Sequence, residues 1–163
     1  MRHVQENAHP RSLKGNWRTL LALSVILDLA ILDGIAKIYA LAHLPAEQAV
    51  KLQPVLSFAV HKNPGILFDI PVPLAIIAPL TVVALIALGS MAWRARFTQP
   101  AIVVSAFAAF AGALNNLIDR VINGFTTDYL ILFRTSAINL SDVLILLGIL
   151  CLLWYGRNNS PRP

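Results

Sequence analysis

GALNNLIDRVINGFTTDYLILFRTSAINLSDVLILLGILCLLWY, residues 112–155, is the stretch whose reading decides the fold. It opens at the close of an apolar, alanine-rich run that starts near Pro100, and it finishes as an apolar run from Val143 to Tyr155. The polar residues between these runs are regularly spaced. Asn116, Asp119 and Arg120 stand at i, i+3 and i+4, which is one face of a helix. Asn139 and Asp142, again three apart, fall at the start of the second run. Asn123-Gly124 reads as a turn, and FTTDYLILF (125–133) reads as a β-prone segment. The stretch therefore predicts two long helices joined by a short extended piece, with the polar side chains gathered where the helices meet.

Working outward, four apolar stretches appear, at about 17–42, 72–93, 100–118 and 138–155. Each approaches the roughly 20 residues that a bilayer-spanning helix needs. Pro79 is expected to kink the second. The whole chain agrees: 57% of its 163 residues are hydrophobic, 13% are charged, and the mean hydropathy is +0.69. Such a composition excludes a disordered chain and disfavours an ordinary soluble domain. The net charge of +5 does not make a nucleic-acid surface, because the basic residues are scattered between apolar runs. The single cysteine, Cys151, excludes a disulfide framework, and the four histidines share no ligand spacing, so no metal site is expected. The first span lacks a small-residue cleavage site and carries internal charges, unlike a cleavable signal peptide. No internal repeat supports an inverted-repeat transporter.

Lysine and arginine set the expected orientation. Arg2, Arg11, Lys14 and Arg18 precede the first span, Arg94 and Arg96 join the second to the third, and Arg157 and Arg162 follow the fourth. Only Lys51, Lys62, Arg120 and Arg134 fall on the other side, in longer segments. Both termini are thus expected in the cytoplasm, with outer loops at about 43–71 and 119–137. Residues 1–18 form an N-terminal arm, 19–155 the four-span region and 156–163 a tail. In the first outer loop VLSFAVHKN (55–63) reads as a short strand before a turn at Asn63-Pro64-Gly65. The fold class is an all-α membrane protein of four transmembrane helices with small β segments on the extracytoplasmic face.

In that topology the costly polar groups converge at one depth. Asn116, Asp119, Arg120, Asn139, Asp142, Asp128, the i, i+4 pair Asp33 and Lys37, and the loop residues Asn63 and Gly65 all reach the outer interface. Each also has a plainer reading. Asp33–Lys37 can be a structural ion pair, Asp119 a carboxylate bridged to Arg120, Asn139 and Asp142 caps of the last helix, and Asp128 a turn residue. Asp28 lies deeper and receives no role.

Two facing carboxylates would point to aspartyl chemistry. Like charges a few ångströms apart do not both ionise, so one keeps a proton. The ionised partner takes a proton from water as it attacks an amide carbonyl, and the protonated partner polarises that carbonyl. Asp142 is favoured because it opens a span; Asp128 is preferred to Asp119 because Arg120 would hold Asp119 ionised. Serine–lysine chemistry is weaker: Ser57 and Ser141 are present, but no Ser-x-x-Lys is.

LDGIAK (32–37), HKNPGILF (61–68), GALNNLIDRVINGFTTDYL (112–130) and INLSD (138–142) occur in the order found in the lipoprotein signal peptidases, the signal peptidase II family. The chain resembles that family over about residues 19–155. The resemblance implies a bacterial inner-membrane aspartyl endopeptidase that removes the signal peptide from prolipoproteins, cutting before a cysteine that carries diacylglycerol. It implies Asp128 and Asp142 as the catalytic dyad, and Asn63 and Gly65 bordering the substrate. Asn116, Asp119, Arg120, Asn139, Asp33 and Lys37 would support the dyad. The expected partners are the diacylglyceryl-cysteine precursor, membrane lipids and a globomycin-type cyclic peptide inhibitor; no cofactor is expected, and the chain is expected to be a monomer.

The chain also departs from the family pattern. Ile66 and Leu67 stand where two small residues are usual, Asn115 where glycine is, Ile138 where phenylalanine is, and Ser141 where alanine is. Ser141 is expected to donate a hydrogen bond beside Asp142, and the stretch from Asp128 to Asn139 is shorter than is typical. Two other readings compete. An alcohol phosphatidyltransferase, suggested by LDGIAK, would need aspartates clustered within about a dozen residues for metal, but the next acid after Asp33 is Asp69. A non-catalytic four-helix scaffold or carrier would explain the spans, but not why Asp128 and Asp142 should meet.

Overall fold

A computed structural model describes residues 16–66 and 70–158. Leu67, most of the expected N-terminal arm and the end of the tail lie outside them. Four helices carry the apolar stretches: α1 (Asn16–His43), α2 (Leu74–Ala95), α3 (Pro100–Asn123) and α4 (Leu140–Asn158). At about 1.5 Å per residue, all four approach or exceed the roughly 30 Å of a hydrocarbon core. All four are long and apolar enough to cross a membrane. Their large side chains point outward: Ile38, Leu80, Ile86 and Leu153 are exposed. That arrangement suits lipid, not water. Asp28 is exposed on the same outer surface of α1.

Small residues fill the interior. α3 is the central helix and buries Ala106, Ala108, Ala109, Ala111 and Gly112, and Ile26 of α1 packs on its alanines. A Cβ added to Gly112 would lie 2.5 Å from the Ser141 carbonyl, and one added to Gly148 would lie 2.6 Å from the Ala109 amide nitrogen. Glycine at both points lets α3 and α4 meet backbone to backbone, the close approach that holds helices together in lipid. α2 runs through Pro79 as one helix and packs on α3.

The ends of the four helices on one side carry an antiparallel sheet in the order β1 (Leu56–Asn63), β2 (Thr126–Leu132), β3 (Ser136–Ile138). β1 and β2 are the two extended segments expected from the sequence. β1 pairs Phe58 with Leu130 and, beyond a bulge, His61 with Asp128. β3 was not anticipated; it pairs Ile138 with Leu130 across a tight hairpin. Phe133, Arg134 and Thr135 form that three-residue turn, with Phe133 and Arg134 at φ 52° and 63°, both in the left-handed region, and the Thr135 amide donating to the Leu132 carbonyl at 3.0 Å. The Asn123-Gly124 signal works differently from a loop turn. α3 continues past residue 118 to Asn123, and Gly124 at φ 80° is its left-handed C-cap, donating to the Arg120 carbonyl at 2.9 Å. The second inter-span connection is correspondingly shorter than 119–137.

Candidate active site

Asp142 is the third residue of α4 and Asn139 immediately precedes that helix. The Asp142 amide donates to Asn139 Oδ1 at 3.0 Å, and the Asn139 amide donates to Asp142 Oδ2 at 3.1 Å. This is a reciprocal capping box built from Asn and Asp. Capping and presentation of the carboxylate are therefore one arrangement. The free Asn139 amide then donates from Nδ2 to Asp128 Oδ1 at 2.6 Å. One side chain thus links both carboxylates, Asp128 from β2 and Asp142 from α4. Asn116 Nδ2 supplies Asp142 Oδ1 at 2.8 Å, and Asn63 Nδ2, at the end of β1, supplies Asp128 Oδ2 at 3.3 Å.

Both carboxylates line a cavity of about 510 Å³ at the sheet end of the bundle, together with Asn63, Asn116 and Arg120. Its deeper wall is apolar, from Ile77 of α2 and Ile145, Leu146 and Ile149 of α4. Burial, and after it the nearby charge of Asp142, push the Asp128 carboxyl up to about 7, against the lowering effect of the Asn139 and Asn63 hydrogen bonds and of Lys37. Asp128 therefore still carries a proton in a substantial fraction of molecules near neutral pH.

The other polar residues from the sequence form an adjoining network. Asp33 is fully buried, and Lys37 Nζ lies 3.1 Å from its Oδ2. Lys37 also donates to Asn116 Oδ1 at 2.6 Å and lies 3.6 Å from Asp119 Oδ2, so Asn116 connects the lysine to Asp142. Gly65 donates its amide to Asn63 Oδ1 at 3.0 Å and accepts from Arg120 at 3.0 Å. A Cβ at Gly65 would overlap the Ile70 carbonyl. Ile66 lines the cavity.

Two expectations are corrected. Asp119 is not bridged to Arg120 by a short ion pair among the described residues. Neighbours in a helix point about 100° apart. Asp119 instead accepts from Asn123 Nδ2 at 2.7 Å and from the Thr127 amide at 2.6 Å, while Arg120 turns to Gly65 and its buried Nε has no hydrogen-bond partner among the described residues. Ser141 does not serve Asp142 either. For the same reason it points away, donating to Asp33 Oδ2 at 2.7 Å and accepting from Asn115 at 3.0 Å. Sequence reasoning also missed Tyr129, whose hydroxyl donates to Asp33 Oδ1 at 2.7 Å. The available signal was strand alternation, which sends Tyr129 to the face opposite Asp128. Burial beside Asp33 pushes its phenol up, so it remains a donor. Among the described residues no group of three or more potential metal ligands is present.

Four spans with a buried carboxylate cluster and a largely apolar cavity at one end define a multi-pass membrane protein. The profile of signal peptidase (SPase) II matches residues 25–156, and the chain belongs to that family of peptidases. It is 32% identical over 151 residues to the lipoprotein signal peptidase of Bifidobacterium longum subsp. infantis, covering 86% of this chain and 81% of that one. It is 31% identical over 138 residues to that of Allorhizobium ampelinum, covering 80% and 84%. Two solved structures, each described as a bacterial membrane enzyme determined by the in meso method, share the fold. One has a TM-score of 0.66 at 21% identity, covering 88% of this chain and 93% of its own. The other has a TM-score of 0.69 at 20% identity, covering 86% and 94%.

Proposed function

We propose that this chain removes signal peptides from lipoprotein precursors by aspartyl chemistry, with Asp128 and Asp142 as the catalytic pair. One observation carries the reading. Two carboxylates from separate elements, joined through the single side chain of Asn139, share the wall of one cavity. The pair titrates as a unit, and one proton on it near neutral pH equips it for both roles. The ionised member takes a proton from water as the water oxygen attacks the scissile carbonyl. The protonated member donates to the carbonyl oxygen, and a proton passes to the amine as the C–N bond breaks. Asn63, Asn116 and Asn139 hold the carboxylates, and Arg120 fixes the Gly65 loop beside them.

The substrate is a precursor whose cysteine already carries diacylglycerol. The apolar wall of Ile77, Ile145, Leu146 and Ile149 supports that chemistry, because acyl chains and a signal-peptide helix both favour such a surface. The same chamber would take a globomycin-type cyclic peptide. We place the chain in the bacterial inner membrane as a monomer, with the sheet outside and both termini in the cytoplasm. At the end away from the sheet, arginine lies over tryptophan at Arg18–Trp17 (5.6 Å), Arg96–Trp93 (3.8 Å) and Arg157–Trp154 (5.4 Å). The tryptophans support an interface at that level, and the excess of basic residues there supports its being the cytoplasmic one.

The test is cleavage of prolipoprotein by Asp128→Asn and Asp142→Asn in a strain depleted of its own signal peptidase II, followed on gels. Each variant is expected to insert normally and to lose at least about three orders of magnitude of activity. Wild-type-like processing by either would refute the pair. A scaffold role, the competing reading, predicts no effect from either change, and membership in a peptidase family speaks against it.

A further inference from the structure

Tyr129 follows Asp128 in β2, and its side chain leaves the opposite face of the strand to cross toward α1. There its hydroxyl donates to Asp33 Oδ1 at 2.7 Å and accepts from the Leu140 amide at 3.3 Å. The same Leu140 amide donates to Asp33 Oδ1 at 2.9 Å. Leu140 is the first residue of α4, directly after Asn139 and two before Asp142. The residue after Asp128 and the residue after Asn139 therefore meet at one carboxylate oxygen. The other oxygen of Asp33 is held by Ser141 Oγ (2.7 Å), Asn115 Nδ2 (2.7 Å) and Lys37 Nζ (3.1 Å). Asn115 and Ser141, both departures from the family pattern, also bond each other at 3.0 Å. Neither Tyr129, Asp33, Leu140, Asn115 nor Ser141 lines the cavity. Tyr129 therefore reaches the acids from outside the cavity, through the backbones that carry them, while Asp33 also reaches Asp142 through Lys37 and Asn116.

We propose that Tyr129 is a positioning residue, and that its hydroxyl, shared between Asp33 and the Leu140 amide, sets the separation of Asp128 from Asp142. The proposal rests on the aspartyl reading and deepens it. Beside the Asn139 amide on Asp128, the hydroxyl is a second side-chain link between β2 and the start of α4. A displacement of about 1 Å in reacting groups costs up to about a hundredfold in rate. Folding depends on the hydroxyl far less. In Tyr129→Phe the ring keeps its packing with Ala40 and Val60. The Leu140 amide keeps Asp33 as its acceptor, and Asp33 keeps its other donors. No buried group is orphaned.

The experiment measures kcat, KM and thermal unfolding of the full chain in detergent micelles, with a diacylglyceryl-modified precursor peptide as substrate. Tyr129→Phe is expected to lower kcat about tenfold, leave KM within about twofold and leave Tm within a few degrees. Ser141→Ala acts through the same carboxylate from its other side. The double variant should therefore lose less than the product of the two single losses. Unchanged kcat in Tyr129→Phe overturns the proposal. So does a rise in KM alone, or a kcat loss matched by a fall in Tm, which would make the hydroxyl merely structural. Should Tyr129→Phe fail to fold, an unchanged kcat in Ser141→Ala overturns it equally. Asp128→Asn runs alongside: cleavage by that variant defeats the aspartyl reading itself, whereas a dead Asp128→Asn beside a wild-type Tyr129→Phe defeats only the role of Tyr129.

Discussion

Asp33 and the Asp128–Asp142 pair belong to one polar cluster, yet their surroundings use them in opposite ways. Asp33 accepts from Tyr129, Leu140, Asn115 and Ser141 and is paired with Lys37, so its roughly four acceptor sites are all taken. It ties α1, β2, α3 and α4 together. Asp128 and Asp142 accept two hydrogen bonds each from Asn63, Asn139 and Asn116, and both reach a cavity. A saturated carboxylate is a structural joint; one with acceptor sites left facing open space is available for chemistry. The acids look alike in the sequence, and the difference lies in how many donors each one meets.

The comparison breaks most readily at Asp33. Asp33→Asn brings donors against donors and removes the nearest counter-charge of Lys37, so a stability loss of about 3–5 kcal/mol is expected in thermal unfolding. Asp142→Asn should leave the same melting curve nearly unchanged while abolishing cleavage. Equal melting losses for the two would erase the distinction. A second, smaller effect is in the pH profile. Asp128 holds its proton below about 7 and loses it above. Cleavage should therefore fall about tenfold per pH unit on the alkaline side, in kcat measured on the full chain. A flat profile through pH 9 would show that no proton on the pair is needed. The finest test uses Asn139, which serves both functions. Asn139→Ser keeps an N-cap acceptor but loses the amide that reaches Asp128, so stability should hold while kcat drops about tenfold. Asn139→Ala should lose both, with about 1 kcal/mol of stability.

Much of this arrangement was legible in the sequence because its signals are local. Apolar runs of about 20 residues mark the spans, and helical spacing alone puts Asn116 and Asp119 on one face and Asn139 beside Asp142. The i, i+4 pair Asp33–Lys37 needed no tertiary information. β3 escaped because three residues, Ser136–Ile138, carry too little pattern. Gly124 escaped because a helix cap and a turn have the same glycine signature. The partners of Ser141, Asn115 and Tyr129 escaped for a different reason: each reaches Asp33 across 82 to 108 residues of chain. Periodicity tells which way such a side chain faces on its own element, and nothing about what stands opposite.

The close contact of α3 and α4 at Gly112 and Gly148 also bears on how the molecule is made. A chain synthesised from its N-terminus delivers α1, α3 and β2 before α4. Until the last helix docks on α3, Asp33 lacks Leu140 and Ser141, and Asp128 lacks Asn139. Asp142 has not yet arrived. The glycines admit α4 at one axial register, because a slide of one residue would drive side chains into the facing backbone. Biogenesis therefore brings the two carboxylates together only at the final step of assembly, and on the proposed aspartyl reading a nascent chain stays inert in the membrane until its bundle is complete.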